Sequence, residues 1–239
     1  MGKILVANWK MSFKSSLEAL HFLRDLPSCH EKDVRIAPPF TLIREMTGNA
    51  QRIRIGAQNM HPYAEGAFTG EISAMMLKEA GADFVVLGHS ERRHLLGETN
   101  EFIQGKVDRA IASGLSFILC VGETEEQREL DETFDVISNQ LESAFADVDI
   151  DKLIECGTLI AYEPVWAIGT GKSAEISEIT KVHKFIKEKY SLPVLYGGSV
   201  NLENFRILIQ SDSIDGVLVG AASQGAATFG QMIQLLPEG

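Results

Sequence analysis

Eight short apolar runs, rich in β-branched residues and closed by turn signals, recur along the chain. They are Ile4 to Ala7, Val34 to Ala37, Ile53 to Ala57, Phe84 to Leu87, Ser116 to Val121, Thr158 to Tyr162, Pro193 to Tyr196 and Gly216 to Val219. Between them the apolar residues follow helical spacing, as in Leu17, Leu20, Phe22 and Leu23, or Ile176, Ile179, Val182 and Ile186. The repeat is about 30 residues, the length of one strand, one helix and the crossover joining them. Strands that are apolar on both faces belong to a parallel sheet covered by helices. Right-handed crossovers allow either an open doubly wound sheet or a closed barrel. Eight units fill the 239 residues, with no Ser/Pro/Gly-rich linker between them. The expected fold is therefore α/β: a single-domain (β/α)8 barrel over residues 1–239, eight parallel strands ringed by helices.

Composition narrows the partners. Lys and Arg number 22 against 33 Asp and Glu, a net charge of −11. Such a surface repels nucleic-acid phosphates and anionic membranes, so neither is expected as a partner. A small phosphate ester is not excluded, because a few convergent backbone N–H groups bind one inside an acidic protein. No apolar run approaches the roughly 20 residues that span a bilayer. The N-terminal stretch lacks the pattern of a secretory signal, so a cytoplasmic setting is expected. Cys29, Cys120 and Cys156 are widely spaced and form no C-x-x-C, which suggests neither a disulfide framework nor a zinc site. The acidic run from Glu123 to Glu132 reads as the solvated start of a helix.

In a barrel of this kind the reactive groups come from the C-terminal strand ends. The residues that follow the apolar runs are Asn8-Trp9-Lys10, Gly88-His89-Ser90-Glu91-Arg92-Arg93, Tyr162-Glu163-Pro164, Gly197-Gly198-Ser199 and Gly220-Ala221. Singly, each has a plain structural explanation: His89 as a helix cap, Glu163 as an ion-pair partner, Lys10 as a surface lysine, the glycines as tight turns. Together on one rim they offer an amide, an ammonium, an imidazole, carboxylates and phosphate-sized backbone turns.

Other motifs fail on spacing. The segment ending Gly169-Thr170-Gly171-Lys172-Ser173 has Trp166 where a P-loop needs its first glycine. Its glycines also lie too far from the strand for a dinucleotide turn. His89-x-Glu91 has no P-C-x-x-C after it, which argues against a zinc deaminase. An apolar, Trp-bearing stretch closed by glycines after Glu163 suits a lid that excludes water.

Seven segments in order resemble the triosephosphate isomerase family over essentially the whole chain. They are Asn8-Trp9-Lys10-Met11, Ala37-Pro38-Pro39-Phe40, Ala57-Gln58-Asn59, Gly66 to Glu71, Gly88 to Arg93, Ala161 to Gly171 and Tyr196 to Val200. The resemblance implies the TIM barrel and interconversion of dihydroxyacetone phosphate and glyceraldehyde 3-phosphate through an enediolate. Glu163 then matches the general base and His89 the neutral electrophile. Lys10 and Asn8 match the groups facing the substrate's oxygens, and Glu91 a nearby carboxylate. Gly169, Ser199, Gly220 and Ala221 match backbone donors to phosphate. The resemblance also implies a homodimer, with Phe68 and Thr69 in a loop that reaches the partner, and neither metal nor organic cofactor. Ala221 stands where the family usually has glycine, and its methyl would crowd the site if that position required positive φ. The bare fold leaves two rivals: another barrel enzyme on a phosphorylated substrate, and a non-catalytic dimer.

Overall fold

The structure, a computed structural model, describes residues 2–168 and 173–238. Its eight strands are β1 (Ile4–Asn8), β2 (Asp33–Ala37), β3 (Arg54–Ala57), β4 (Phe84–Leu87), β5 (Ser116–Val121), β6 (Leu159–Tyr162), β7 (Val194–Tyr196) and β8 (Gly216–Val219). All neighbours pair in parallel, and β1 pairs with both β2 and β8, which closes the barrel. Each strand lies within one residue of its expected position. The three late starts have local causes. Ile53 donates its N–H to the Ala50 carbonyl and Thr158 donates to Leu153, so both close preceding turns. Pro193 has no N–H for the ladder.

Among the described residues the α-helices are α1 (Ser16–Asp25), α2 (Ile43–Thr47), α3 (Ala74–Glu79), α4 (Ser90–His94), α5 (Asn100–Ser113), α6 (Glu125–Glu129), α7 (Thr133–Ala144), α8 (Ile150–Glu155), α9 (Ile176–Tyr190), α10 (Leu202–Gln210) and α11 (Ala226–Leu235). Their ends are written locally. Thr99 caps α5 by accepting from Phe102 N–H, and Gly114 ends it in the left-handed region at φ 62°. Asn201 closes a capping box on α10.

The two-residue pitch of a strand sorts the apolar runs into two cores. Ile4, Val6, Ala37, Phe84, Val86, Ile118, Cys120, Leu159, Ala161, Leu195 and Leu218 fill the barrel interior. Their alternates, such as Leu5, Ala7, Val85, Leu119 and Ile160, pack outward against the helices. Gly56 makes room for Phe84: a Cβ there would lie 2.5 Å from the ring. The same pitch aims the next residues. Asn8, Gly88, Gly122, Glu163, Gly197 and Gly220 each stand two positions beyond the last interior residue of their strand, at the C-terminal mouth.

The outer layer holds a buried histidine. His183 on α9 is fully buried, with Nδ1 3.2 Å from the Ser213 carbonyl and its ring edge-on to Tyr162. Burial lowers its pKa to about 3. The folded ring is neutral, whereas the unfolded ring takes up a proton near pH 6.5. Its contribution to stability is therefore complete above about pH 6.5 and is lost as the pH falls towards 3. His183→Phe is expected to flatten the acid limb of the stability profile between about pH 6 and pH 4. Urea unfolding of both proteins at several pH values checks this; parallel profiles would refute it.

Candidate active site

The first wall of the site is the turn after β1. Lys10 adopts φ 52°, a left-handed conformation that costs a side-chain-bearing residue roughly 1–2 kcal/mol. Its N–H donates to Asn8 Oδ1 at 3.1 Å, and its carbonyl accepts from Gln58 Nε2 at 2.9 Å. Gln58 also donates to the Ala37 carbonyl at 2.9 Å, which ties this turn to the end of β2. The Lys10 ammonium meets Glu91 Oε1 at 2.6 Å.

His89 precedes α4 as its N-cap. Its Nδ1 accepts from the Glu91 N–H at 3.2 Å, which requires a lone pair on that nitrogen. In a neutral ring the proton then sits on Nε2, and Nε2 lies 3.3 Å from Glu163 Oε1. Glu163 is 2% exposed, and its other oxygen accepts from Ser90 N–H at 3.2 Å. Gly197 forms the wall beside it, since a Cβ there would stand 2.7 Å from Glu163 Cγ. Beneath lies Cys120. Burial, and then the charge of Glu163, push this thiol well above its ordinary range, so it stays protonated. Arg93 braces the floor by donating to the carbonyls of Gly88 at 2.8 Å and Cys120 at 3.2 Å, and to Asn100 at 2.7 Å.

The third wall comes from the strand ends of β7 and β8. Asn8, Lys10, His89, Glu163, Ser199, Gly220 and Ala221 line one cavity of about 310 Å³, together with Ile168, Gly197 and Gly198. Ser199 donates its hydroxyl to the Ala167 carbonyl at 2.5 Å, and Asn204 at the start of α10 donates to the Ser199 carbonyl at 2.9 Å. Ala221 begins a short 3-10 turn, and its φ is not positive. The feared strain at this position is therefore absent. Gly169 lies outside the described residues, as does most of the glycine-rich end of the expected lid.

Of the candidates, Asn8, Lys10, His89, Glu163, Ser199, Gly220 and Ala221 line this one cavity; Glu91 does not, and touches two residues that do, Lys10 through its carboxylate and His89 through its N–H. Sequence reasoning assigned no role to Gln58, Arg93 or Cys120. Gln58 was detectable in principle, because it follows β3 directly, where a rim residue belongs.

The acidic run needs correction at its first residue. Residues 125–129 form α6 with Thr124 as its cap, but Glu123 is only 1% exposed. Its Oε1 accepts from Trp166 Nε1 at 2.8 Å and from the Tyr162 hydroxyl at 3.2 Å. Burial raises the pKa of Glu123, and the two donors oppose that shift. Trp166 also stacks on Arg128, whose guanidinium lies 4.2 Å from the ring centre. Trp166, in the described part of the expected lid, is thus anchored on a buried carboxylate.

In the loop after β3, Phe68 packs on His61 and Tyr63, with ring centroids 4.1 and 5.1 Å away, and remains 40% exposed. Thr69 beside it is exposed. A larger cavity, about 740 Å³, opens at the N-terminal mouth. Its charged walls are matched internally, Arg35 with Asp33 and Lys187 with Asp215 at 2.7 Å, and none of the rim residues reaches it. Among the described residues no group of His, Cys, Asp and Glu is arranged to hold a metal ion.

Comparison with known proteins agrees with this geometry. The sequence model of the family described as triosephosphate isomerase matches residues 3–236. A triosephosphate isomerase of Gloeothece citriformis (strain PCC 7424) is 43% identical over 244 residues, covering 98% of this chain and 99% of the relative. That of Protochlamydia amoebophila (strain UWE25) is 44% identical over 245 residues, covering 96% and 92%. That of Endomicrobium trichonymphae is 39% identical over 246 residues, covering 97% of each.

Proposed function

The chain belongs to the triosephosphate isomerase family, and from that membership we propose that the cavity joining Glu163, His89 and Lys10 is its active site. The reaction is the interconversion of dihydroxyacetone phosphate and D-glyceraldehyde 3-phosphate, a step of glycolysis and gluconeogenesis. The observation that carries the site assignment is the 3.3 Å approach of His89 Nε2 to Glu163 Oε1, two groups from distant strand ends meeting on one cavity.

Glu163 removes a proton from the carbon beside the carbonyl and returns it to the neighbouring carbon. Both of its oxygens are held, by Ser90 N–H and by His89, so the carboxylate has to leave these contacts to reach the substrate. His89 Nε2–H then faces the substrate oxygens, polarising the carbonyl and relaying a proton between them. Lys10 and Asn8 stabilise the charge that develops on those oxygens, with Glu91 setting the position of the ammonium. The backbone N–H groups of Gly169, Ser199, Gly220 and Ala221 hold the phosphate. Substrate and product are isomers of the same overall oxidation state, so no oxidant or reductant enters the balance.

Residues 1–239 act as one catalytic domain in this reading, and two copies form the enzyme. The support for a homodimer is exposed apolar surface beside the site. Met11, next to Lys10, is 99% exposed, and Tyr63, Phe68, Met75 and Met76 are each at least 40% exposed. No helix among the described residues is long and apolar enough to cross a membrane. The three thiols are free, which fits the reducing setting of the cytoplasm.

A coupled assay run in both directions tests the function. Turnover of both triose phosphates, and none of larger sugar phosphates, is expected; no turnover by folded protein would overturn it. Sedimentation is expected to give twice the 26.2 kDa chain mass, and Phe68→Glu with Met11→Glu to give the single mass. A wild-type monomer that is fully active would overturn the dimer.

A further inference from the structure

We propose that Gln224 is a positioning residue that locks the peptide carrying Lys10 to the phosphate-side loop after β8. The inference rests on the reading of this cavity as a triose phosphate site. Lys10 sits in the left-handed region at φ 52°, so its surroundings have to hold it there. The peptide plane before Lys10 is fixed at both polar atoms. Lys10 N–H donates to Asn8 Oδ1 at 3.1 Å, and the Trp9 carbonyl accepts from Gln224 Nε2 at 3.2 Å. Holding that plane sets φ. The plane after Lys10 is held where its carbonyl accepts from Gln58 at 2.9 Å, and this sets ψ.

The three clamps have different origins. Asn8 is two residues away and Gln58 comes from the end of β3. Gln224 comes from the other side of the cavity, immediately after the turn that begins with Ala221. Its own N–H donates to the Ala221 carbonyl at 3.1 Å. That turn is fixed in its own right, because the Ser223 hydroxyl is within hydrogen-bond distance of two carbonyls, Gly220 at 2.7 Å and Val219 at 3.1 Å. The two segments already approach at Gly220, where a Cβ would lie 3.4 Å from Lys10 Cε. The Gln224 amide therefore spans from the proposed phosphate donors to the backbone of the ammonium, and it keeps their spacing constant. Without it the Trp9 carbonyl is released, the peptide before Lys10 can rotate, and the ammonium shifts relative to the phosphate.

Two variants test this. Gln224→Leu keeps the size and removes the donor; Gln224→Glu keeps the shape and replaces the donor with an acceptor facing a carbonyl. In both, KM and the inhibition constant of inorganic phosphate are expected to rise together by roughly threefold to tenfold, the range of one hydrogen bond, with a smaller change in kcat. Gln224→Glu is expected to be at least as impaired as Gln224→Leu. Thermal melting reports the fold separately. Either folded variant keeping both constants within twofold of the parent would overturn the proposal, as would a loss confined to kcat and melting temperature. If the parent itself turns over neither triose phosphate, the functional reading fails. The role of Gln224 is then judged by calorimetry of phosphate binding to the same proteins, where unchanged affinity overturns it.

Discussion

Glu163→Gln is expected to lower kcat by roughly 10²- to 10⁴-fold, the range for loss of a general base, while the barrel stays folded. The glutamine fills the same 2%-exposed space, so packing is kept. What changes is donor and acceptor matching. The carboxylate offers both oxygens to two N–H groups, Ser90 at 3.2 Å and His89 Nε2 at 3.3 Å. An amide offers one oxygen and turns an NH2 towards the other donor. One buried donor then loses its acceptor, at a cost of about 1–3 kcal/mol. For a chain of this size that lowers the melting temperature by roughly 2–4 °C per kcal/mol. Steady-state kinetics and a thermal melt separate the two effects. A kcat close to the parent's would remove Glu163 from the mechanism.

Gly122→Ala is expected to damage stability and catalysis together. A Cβ at Gly122 would stand 1.9 Å from the Glu163 carbonyl oxygen and 2.6 Å from its carbon. Backbone cannot give way there cheaply, because Glu163 N–H donates to the Val121 carbonyl at 2.7 Å and Val165 N–H to the Glu123 carbonyl at 2.9 Å. The Gly122 peptide is itself held by Gln140, which bonds its N–H at 2.9 Å and its carbonyl at 3.0 Å. Relief requires moving the chain that carries the base. Overpacking of this kind costs about 1–3 kcal/mol or more, and a base misplaced by about 1 Å loses on the order of 10² in rate. Circular dichroism melts and kcat measure the two losses. A variant as stable and active as the parent would show that the strand end is far softer than its hydrogen bonds indicate.

The strands were legible because burial on both faces leaves an unbroken apolar run, and the strand pitch then carries Asn8 and Glu163 to the mouth without further information. Residues whose placement depends on distant chain were harder to read. Glu123 belongs to a charged run that looks solvated throughout, and only the approach of Tyr162 and Trp166 turns it into a buried anchor. Gln58 and Gln224 carry no charge, and neither side chain announces a role in the sequence; their value lies in meeting one turn from opposite sides. Ala221 looked hazardous against the family pattern, yet a turn that needs no positive φ accepts its methyl.

The alternation that fills the barrel has a corollary for how such a chain can evolve. Val6 and Asn8, Ala161 and Glu163, and Leu195 and Gly197 share one side of their strands. Inserting a single residue within β6 would rotate Glu163 towards the helices and bring Tyr162 into its place, and deleting one would bring Pro164 there, either way emptying the mouth of its carboxylate. Changes in length are therefore confined to helices and connecting loops, or to strand changes of two residues at a time. The frame that keeps the core dry also dictates which coding changes the chemistry can survive.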